Sequence, residues 1–162
     1  MTGETPVDLT GNVVSAWNYN WMDVNTCLKA GAKVVNLCDW LLYLVPSVNY
    51  YHDFLDYQWL YESWMPEMMK KDDPKVEKRH PNFLGAMLAV WNDRVGNGIS
   101  QQDVHVRTFP ALQVVCEKMW KGENAEHVSY AQFKALLSIH SRSSRSESAC
   151  ESATTHNFNG YR

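Results

Sequence analysis

The chain lacks any long apolar run. Nothing in it approaches the ~18 consecutive apolar residues of a membrane-crossing helix, and its first residues, MTGETPVDLTG, have neither the basic nor the apolar region of an export signal. A basic excess is also missing. Fifteen Lys and Arg stand against 18 Asp and Glu, a formal net charge of -3 with a pI of ≈ 6.0, so composition gives no support for nucleic acid or an anionic membrane as partner. Only four cysteines occur, Cys27, Cys38, Cys116 and Cys150, far apart and without CxxC or Cys/His ligand spacing. No metal site is expected from them, and the first three read as free buried thiols. There is no GxSxG, and the six His fall in no catalytic or metal spacing, so a Ser/His/Asp hydrolase is unsupported. No organic cofactor is implied. Localisation stays open: extracellular or wall-associated if a signal peptide precedes Met1, cytoplasmic otherwise.

What is present is aromatic. Seven Trp and eight Tyr occur in 162 residues that are otherwise of ordinary soluble composition, 45% hydrophobic and 20% charged. Most Trp residues pack in cores, so placement matters more than number. Val13 to Trp17 is a short β-branched run that reads as a strand, and Asp23 can cap a helix over 24–30, stopped by Gly31, with Val24, Cys27 and Leu28 on one face. Lys33 to Cys38 reads as a second strand running into the aromatic segment Trp40 to Pro46, on which Leu41 shares the strand face of Tyr43. Residues 46–82 form a long excursion rich in Tyr and Trp, closed by the charged stretch Lys70 to His80. A third strand is expected at Leu84 to Val90, small and apolar as a buried parallel strand should be, ending at Trp91-Asn92-Asp93.

Gly96 and Gly98 break the chain, and Ser100 with Asp103 begins a short helix. Thr108 and Pro110 suit the cap and first turn of another over about 109–121, whose face Leu112, Val115, Cys116, Met119 and Trp120 should meet the sheet. Ser129 and Gln132 form a capping box for a last helix carrying Phe133, Leu136 and Leu137. Residues 139–162, Ser-rich with few apolar anchors, read as a disordered tail after a 1–138 domain. Strands alternating with helices, with Trp, Tyr and an acid just past the strand ends, match an α/β chain forming the C-terminal portion of a (β/α)8 barrel, about its last three strands. A complete barrel takes ~250 residues. The fold is therefore either a small open α/β sheet or an incomplete piece of a barrel whose N-terminal strands are missing.

The segment GAMLAVWNDRVGNGIS over 85–100 resembles the last-strand signature of family 20 glycoside hydrolases, in the branch of lacto-N-biosidases and dispersin-like enzymes. Phe109-Pro110-Ala-Leu with Glu117-Lys-Met-Trp120 is similar to the same branch, as is Leu42-Tyr43-Leu44-Val45-Pro46 with the later Tyr50-Tyr51 and Trp59-Leu60-Tyr61. Several ordered motifs over residues 10–138 are more specific than one short pattern. The resemblance implies substrate-assisted, retaining hydrolysis of terminal β-linked N-acetylhexosamine or lacto-N-biose, in which the sugar's own acetamido oxygen attacks the anomeric carbon. On that pattern Trp17 and Trp91 would wall the acetamido pocket, Tyr43 would donate its hydroxyl hydrogen to the acetamido oxygen, and Asp93 would accept from distal sugar hydroxyls. No metal or cofactor enters that chemistry, and the partner is a glycan.

Each residue has a plainer reading. Trp17 can be a strand-end core Trp, Tyr43 a Tyr tucked under the long excursion, and Asp93 a solvated turn acid paired with Arg94. Trp21 and Trp40 read as packing or outer-subsite residues. The departures from the family are as informative as the matches. Its general acid Glu follows directly on an Asp, and no Asp-Glu dipeptide exists in this chain. Asp72-Asp73 reads as a solvated charge run. The chain is therefore expected to supply the sugar pocket of a glycoside hydrolase while being inactive alone; the competing expectation is a non-catalytic carbohydrate-binding module.

Overall fold

A computed structural model describes residues 7–21, 24–71, 80–94, 98–122 and 128–143, the last five by backbone only. Asp23, Gly96, Asp72-Asp73, Cys150 and the tail beyond Ser143 lie outside the described residues. The chain divides into two units, Met1–Ala125 and Glu126–Arg162. The first is a mixed α/β unit with small parallel sheets. β1 (Val13–Ala16), α1 (Val24–Lys29) and β2 (Lys33–Asn36) form a β-α-β crossover whose strands pair in parallel, Val14 opposite Val34. Val24, Cys27 and Leu28 are buried, as the helical spacing requires. Gly31 ends α1 with φ 81 and its N–H on the Leu28 carbonyl at 3.0 Å, a backbone state that side chains disfavour.

The expected second strand stops early. After Asn36 the chain turns through a four-residue helix, α2 (Asp39–Leu42), before a two-residue strand β3 (Tyr43–Leu44). Leu41 is thus helical and shares no strand face with Tyr43. The reason is local: the Asn36 side chain accepts from the Cys38 N–H at 2.9 Å and so diverts the backbone from the ladder. The same buried amide donates to the Pro66 and Met68 carbonyls at 2.8 and 2.7 Å, which pins the excursion to the strand end. That excursion contains α3 (Tyr57–Glu62), capped by Asp56, whose carboxylate accepts from the Trp59 N–H. Trp64 is fully buried, and Trp59 lies under the Lys71 ammonium at 4.7 Å.

The third strand is likewise two pieces, β4 (Phe83–Ala86) and β5 (Ala89–Val90). β4 pairs with β2 in parallel, and β5 with β3, giving sheets β1-β2-β4 and β3-β5. The β2/β4 register slips between Val34 and Val35 because Leu84 is an extra residue, and Gly85 at φ 130 absorbs the bulge.

The two helices expected after residue 100 are one, α4 (Gln101–Lys121). Ser100 and Asp103 do cap it reciprocally, but Thr108 is mid-helix, its hydroxyl donating to the Val104 carbonyl at 2.8 Å, and Pro110 sits inside. Its buried residues are Arg107, Ala111, Val114, Val115 and Lys118, the face turned to α3. Of the expected face only Val115 is among them; Met119 is half-exposed but meets the sheet, its sulfur accepting from the Ala86 N–H of β4 at 3.2 Å, while Leu112, Cys116 and Trp120 are exposed. Cys27 and Cys38 are buried and in no disulfide, as expected, whereas Cys116 is exposed because it stands on the outer face of α4. In the second unit α5 (Tyr130–Ser143) begins at the expected capping box, Ser129 Oγ accepting from the Gln132 N–H at 3.3 Å, and runs past Ile139. Among the described residues no helix is long and apolar enough to cross a membrane.

Candidate functional site

The β3-β5 pair gathers the site. Tyr43 stands opposite Ala89 and Leu44 opposite Val90. By strand alternation Trp91, two residues beyond Ala89, faces the same side as Tyr43. The Trp91 N–H continues the ladder onto the Leu44 carbonyl at 2.9 Å, and the Tyr43 and Trp91 rings meet at 5.8 Å and 43°. Tyr43 is buried, Trp91 is 44% exposed.

A loop then returns over this pair. Val45 donates to the His52 carbonyl at 3.1 Å, Tyr51 to the Val48 carbonyl at 3.1 Å, and the Ser47 N–H to Asp53 Oδ1 at 2.7 Å. Ser47 is held at φ 65, a strained state for a non-glycine residue that the Asp53 bond helps maintain. At its far end the Arg107 guanidinium of α4 lies 4.5 Å over the Phe54 ring and 4.0 Å from Asp53. The loop brings Tyr51 to 5.8 Å from Tyr43 and sets Tyr50 at 4.9 Å from Tyr51.

Beneath it lies Asp39, 6% exposed. Its Oδ2 accepts from Asn18 Nδ2 and from the Tyr51 hydroxyl, both at 3.0 Å, and its Oδ1 from the Trp40 N–H at 2.9 Å. Its own N–H donates to the Trp17 carbonyl at 2.7 Å.

These elements enclose an open cavity of about 210 Å³ lined by Tyr43, Val45, Val48, Tyr50, Tyr51, Trp91, Asp93 and Arg94. It has aromatic walls and a few polar groups at the rim, the composition a small polar ligand with apolar faces requires. Burial, then the Asp39 charge, raises the Tyr43 phenol above its usual range, while a hydrogen bond with the Trp91 side chain opposes the rise. Burial pushes Tyr51 up to about 12, with the hydrogen bond to Asp39 adding to it. Both phenols therefore remain proton donors at neutral pH. Asp93 is exposed at the rim, and among the described residues its carboxylate has no hydrogen bond or ion pair, Arg94 included. Among the described residues no three His, Cys, Asp or Glu side chains are grouped to hold a metal ion.

Of the four residues singled out from the sequence, the structure brings Tyr43, Trp91 and Asp93 to one cavity. Trp17 is not part of its lining: its ring meets Trp21 edge-on at 4.6 Å, and it touches the site through its backbone carbonyl. Trp40 is 48% exposed beside Tyr51 and His52, at 6.4 and 6.1 Å. Sequence reasoning gave Tyr51 no role and missed Asp39. An acid soon after a buried strand, the signal that singled out Asp93, is also present at Asp39, three residues past β2. No family model matches this chain, and no curated protein matches it in sequence. The fold and cavity define an α/β chain with an aromatic site at the C-terminal ends of parallel strands.

Proposed function

We propose that the cavity binds an N-acetylhexosamine unit of a glycan, and that the chain forms the last part of a (β/α)8 barrel of the family 20 glycoside hydrolase type. The observation that carries this reading is the tilted Tyr43–Trp91 ring pair together with the Asp93 carboxylate, unpaired among the described residues, at the rim of one small cavity. A pyranose offers apolar C–H faces to aromatic walls and hydroxyls to a rim acceptor. The parallel order β1-β2-β4 and the parallel β3-β5 pair, with Trp91 and Asp93 past the carboxyl end of β5, support the barrel arrangement.

In this reading the Trp91 indole walls the acetamido group and excludes water. The Tyr43 hydroxyl donates to the acetamido oxygen as that oxygen attacks the anomeric carbon, stabilising charge that develops on the ring being formed. Asp93 accepts from sugar hydroxyls, a charge-assisted bond that fixes the ring without moving a proton. The acid that would protonate the leaving group is not among these residues, so the 162-residue chain recognises and aligns the sugar but does not cleave it. A coding sequence upstream of Met1 with a strand ending in Asp-Glu would supply that acid.

Calorimetric titration of the chain with N-acetylglucosamine tests the proposal. The expected result is saturable binding, weaker for glucose, and reduced at least about tenfold, or ~1.4 kcal/mol, by Trp91→Ala. Equal affinity for glucose and N-acetylglucosamine would sink the acetamido assignment. A second reading, a stand-alone carbohydrate-binding module, is favoured by the lack of an Asp-Glu pair; unrelated sequence upstream of a genuine start at Met1, with binding intact, would select it.

A further inference from the structure

The site contains a buried carboxylate for which the sugar chemistry has no direct use. Asp39 reaches no cavity wall of its own, yet three separate segments converge on it. Asn18, just past β1, donates to Oδ2 at 3.0 Å; the Tyr51 hydroxyl, on the returning loop, donates to the same oxygen at 3.0 Å; and Trp40, in α2, donates its N–H to Oδ1 at 2.9 Å. The backbone N–H of Asp39 holds the Trp17 carbonyl at 2.7 Å. At 6% exposure such an acid is costly to bury unless its lone pairs are filled, and here the donors that fill them belong to the parts that must be brought together.

We propose that Asp39 is the positioning residue of this site: through its hydrogen bond to Tyr51 it holds the loop over residues 47–54 against Tyr43, and so sets the wall of the cavity. The inference rests on the sugar-binding reading for its functional readout, though not for its geometry. Tyr51 is the link. Its ring stands 5.8 Å from Tyr43 and 4.9 Å from Tyr50, and its hydroxyl donates to Asp39. The loop is tied at its base by Val45 to His52 and by Ser47 to Asp53; at its crest the Tyr51 N–H lies on the Val48 carbonyl and the ring packs beside Tyr43 and Trp40, and the side-chain hydrogen bond that joins this crest to the elements beneath is the one to Asp39. Burial and the carboxylate keep the Tyr51 phenol protonated, so the bond persists across the neutral range. Asn at position 39 would retain one acceptor oxygen for the donors that now share two.

The test is a double-variant cycle on the full chain, with N-acetylglucosamine as probe. Tyr51→Phe, which deletes one hydroxyl, is expected to weaken binding about fivefold, and Asp39→Asn about tenfold. The Tyr51→Phe/Asp39→Asn double variant is expected to stay within about twofold of Asp39→Asn alone, because both act through one bond. A merely structural role for Asp39 gives losses that add. Additive losses, or a Tyr51→Phe variant within about twofold of the parent, overturn the proposal. Amide hydrogen exchange at Val45, whose N–H lies on the His52 carbonyl under the loop, separates this inference from the sugar reading. If the parent chain binds no sugar, the sugar reading falls. The anchor then stands on a roughly tenfold loss of Val45 protection in each single variant, and falls if protection is unchanged.

Discussion

At the scale of single residues the site depends on phenols that keep their protons. Tyr51 is pushed to about 12 by burial and by its bond to Asp39, and Tyr43 is raised by burial and by the same charge. A group whose folded pKa lies above its unfolded value contributes stability that is fully present below the unfolded value, here about 10, and is lost as pH rises toward the folded one. In urea unfolding the Tyr51 contribution should therefore be fully present below about pH 10 and be lost between about 10 and 12. Cys38, raised by burial to about 11, together with Tyr43, Tyr61 and Lys121, also raised, contributes a slope of the same sign. The comparison that matters is thus with Tyr51→Phe, which should flatten part of the decline; identical slopes in the two proteins would mean Tyr51 titrates normally. Of the four residues named from the sequence, Tyr43, Trp91 and Asp93 line the cavity; Trp91 and Asp93 follow the end of β5, a position that a pattern reveals, while Tyr43 opens the short β3. Asp39 and Tyr51 were not legible in the sequence, since their pairing joins residues 12 apart through a loop whose path is set by Ser47 at positive φ and by Asp53. The placement of Trp17 was hidden for a similar reason: the neighbour that occupies its ring, Trp21, is a matter of local geometry rather than of strand order.

At the scale of elements, helices with strong caps were readable and strand lengths were not. α1 and the start of α5 lie where the spacing and the capping box put them. The single runs expected at 33–38 and 84–90 are broken by side-chain and bulge effects, the Asn36 amide in one case and the extra Leu84 in the other, which periodicity does not encode. α4 was misread at Pro110, taken for a first-turn residue when it is interior. The helix continues through it because the Ser100–Asp103 box nucleates one end while Ala111, Val114 and Val115 are buried beyond it. An interior Pro still costs about 3 kcal/mol relative to Ala, of which up to ~1 is returned by the stiffer unfolded chain. Pro110→Ala should therefore stabilise the chain by about 2 to 3 kcal/mol, seen as a rise of roughly 5 to 10 degrees in the thermal midpoint. No rise would show that the proline ring's own packing outweighs the restored N–H.

At the scale of the whole molecule the first unit has small parallel sheets, the larger of which has apolar residues exposed on its edge strands. Among the described residues β1 and β4 each pair only with β2, so both edges of the larger sheet are open. Val13 on one edge strand is 61% exposed and Leu84 on the other 53%, and the outer face of α4 adds Phe109, Leu112 and Trp120, the last 91% exposed. Parallel sheets ordinarily lie buried on both faces, and unprotected apolar edges template association. The barrel reading supplies partners for both edges, whereas a self-sufficient open sheet would have to tolerate them bare. The chain by itself should therefore self-associate at concentrations on the order of tens of micromolar in sedimentation velocity. Placing charge on the exposed surface, with Leu84→Lys and Trp120→Lys together, should shift the distribution toward monomer, because an edge lysine blocks strand addition and the helix face loses its largest apolar side chain. A parent chain that sediments as monomer throughout, unmoved by these substitutions, would instead favour the open sheet and remove the main physical argument for strands beyond those described.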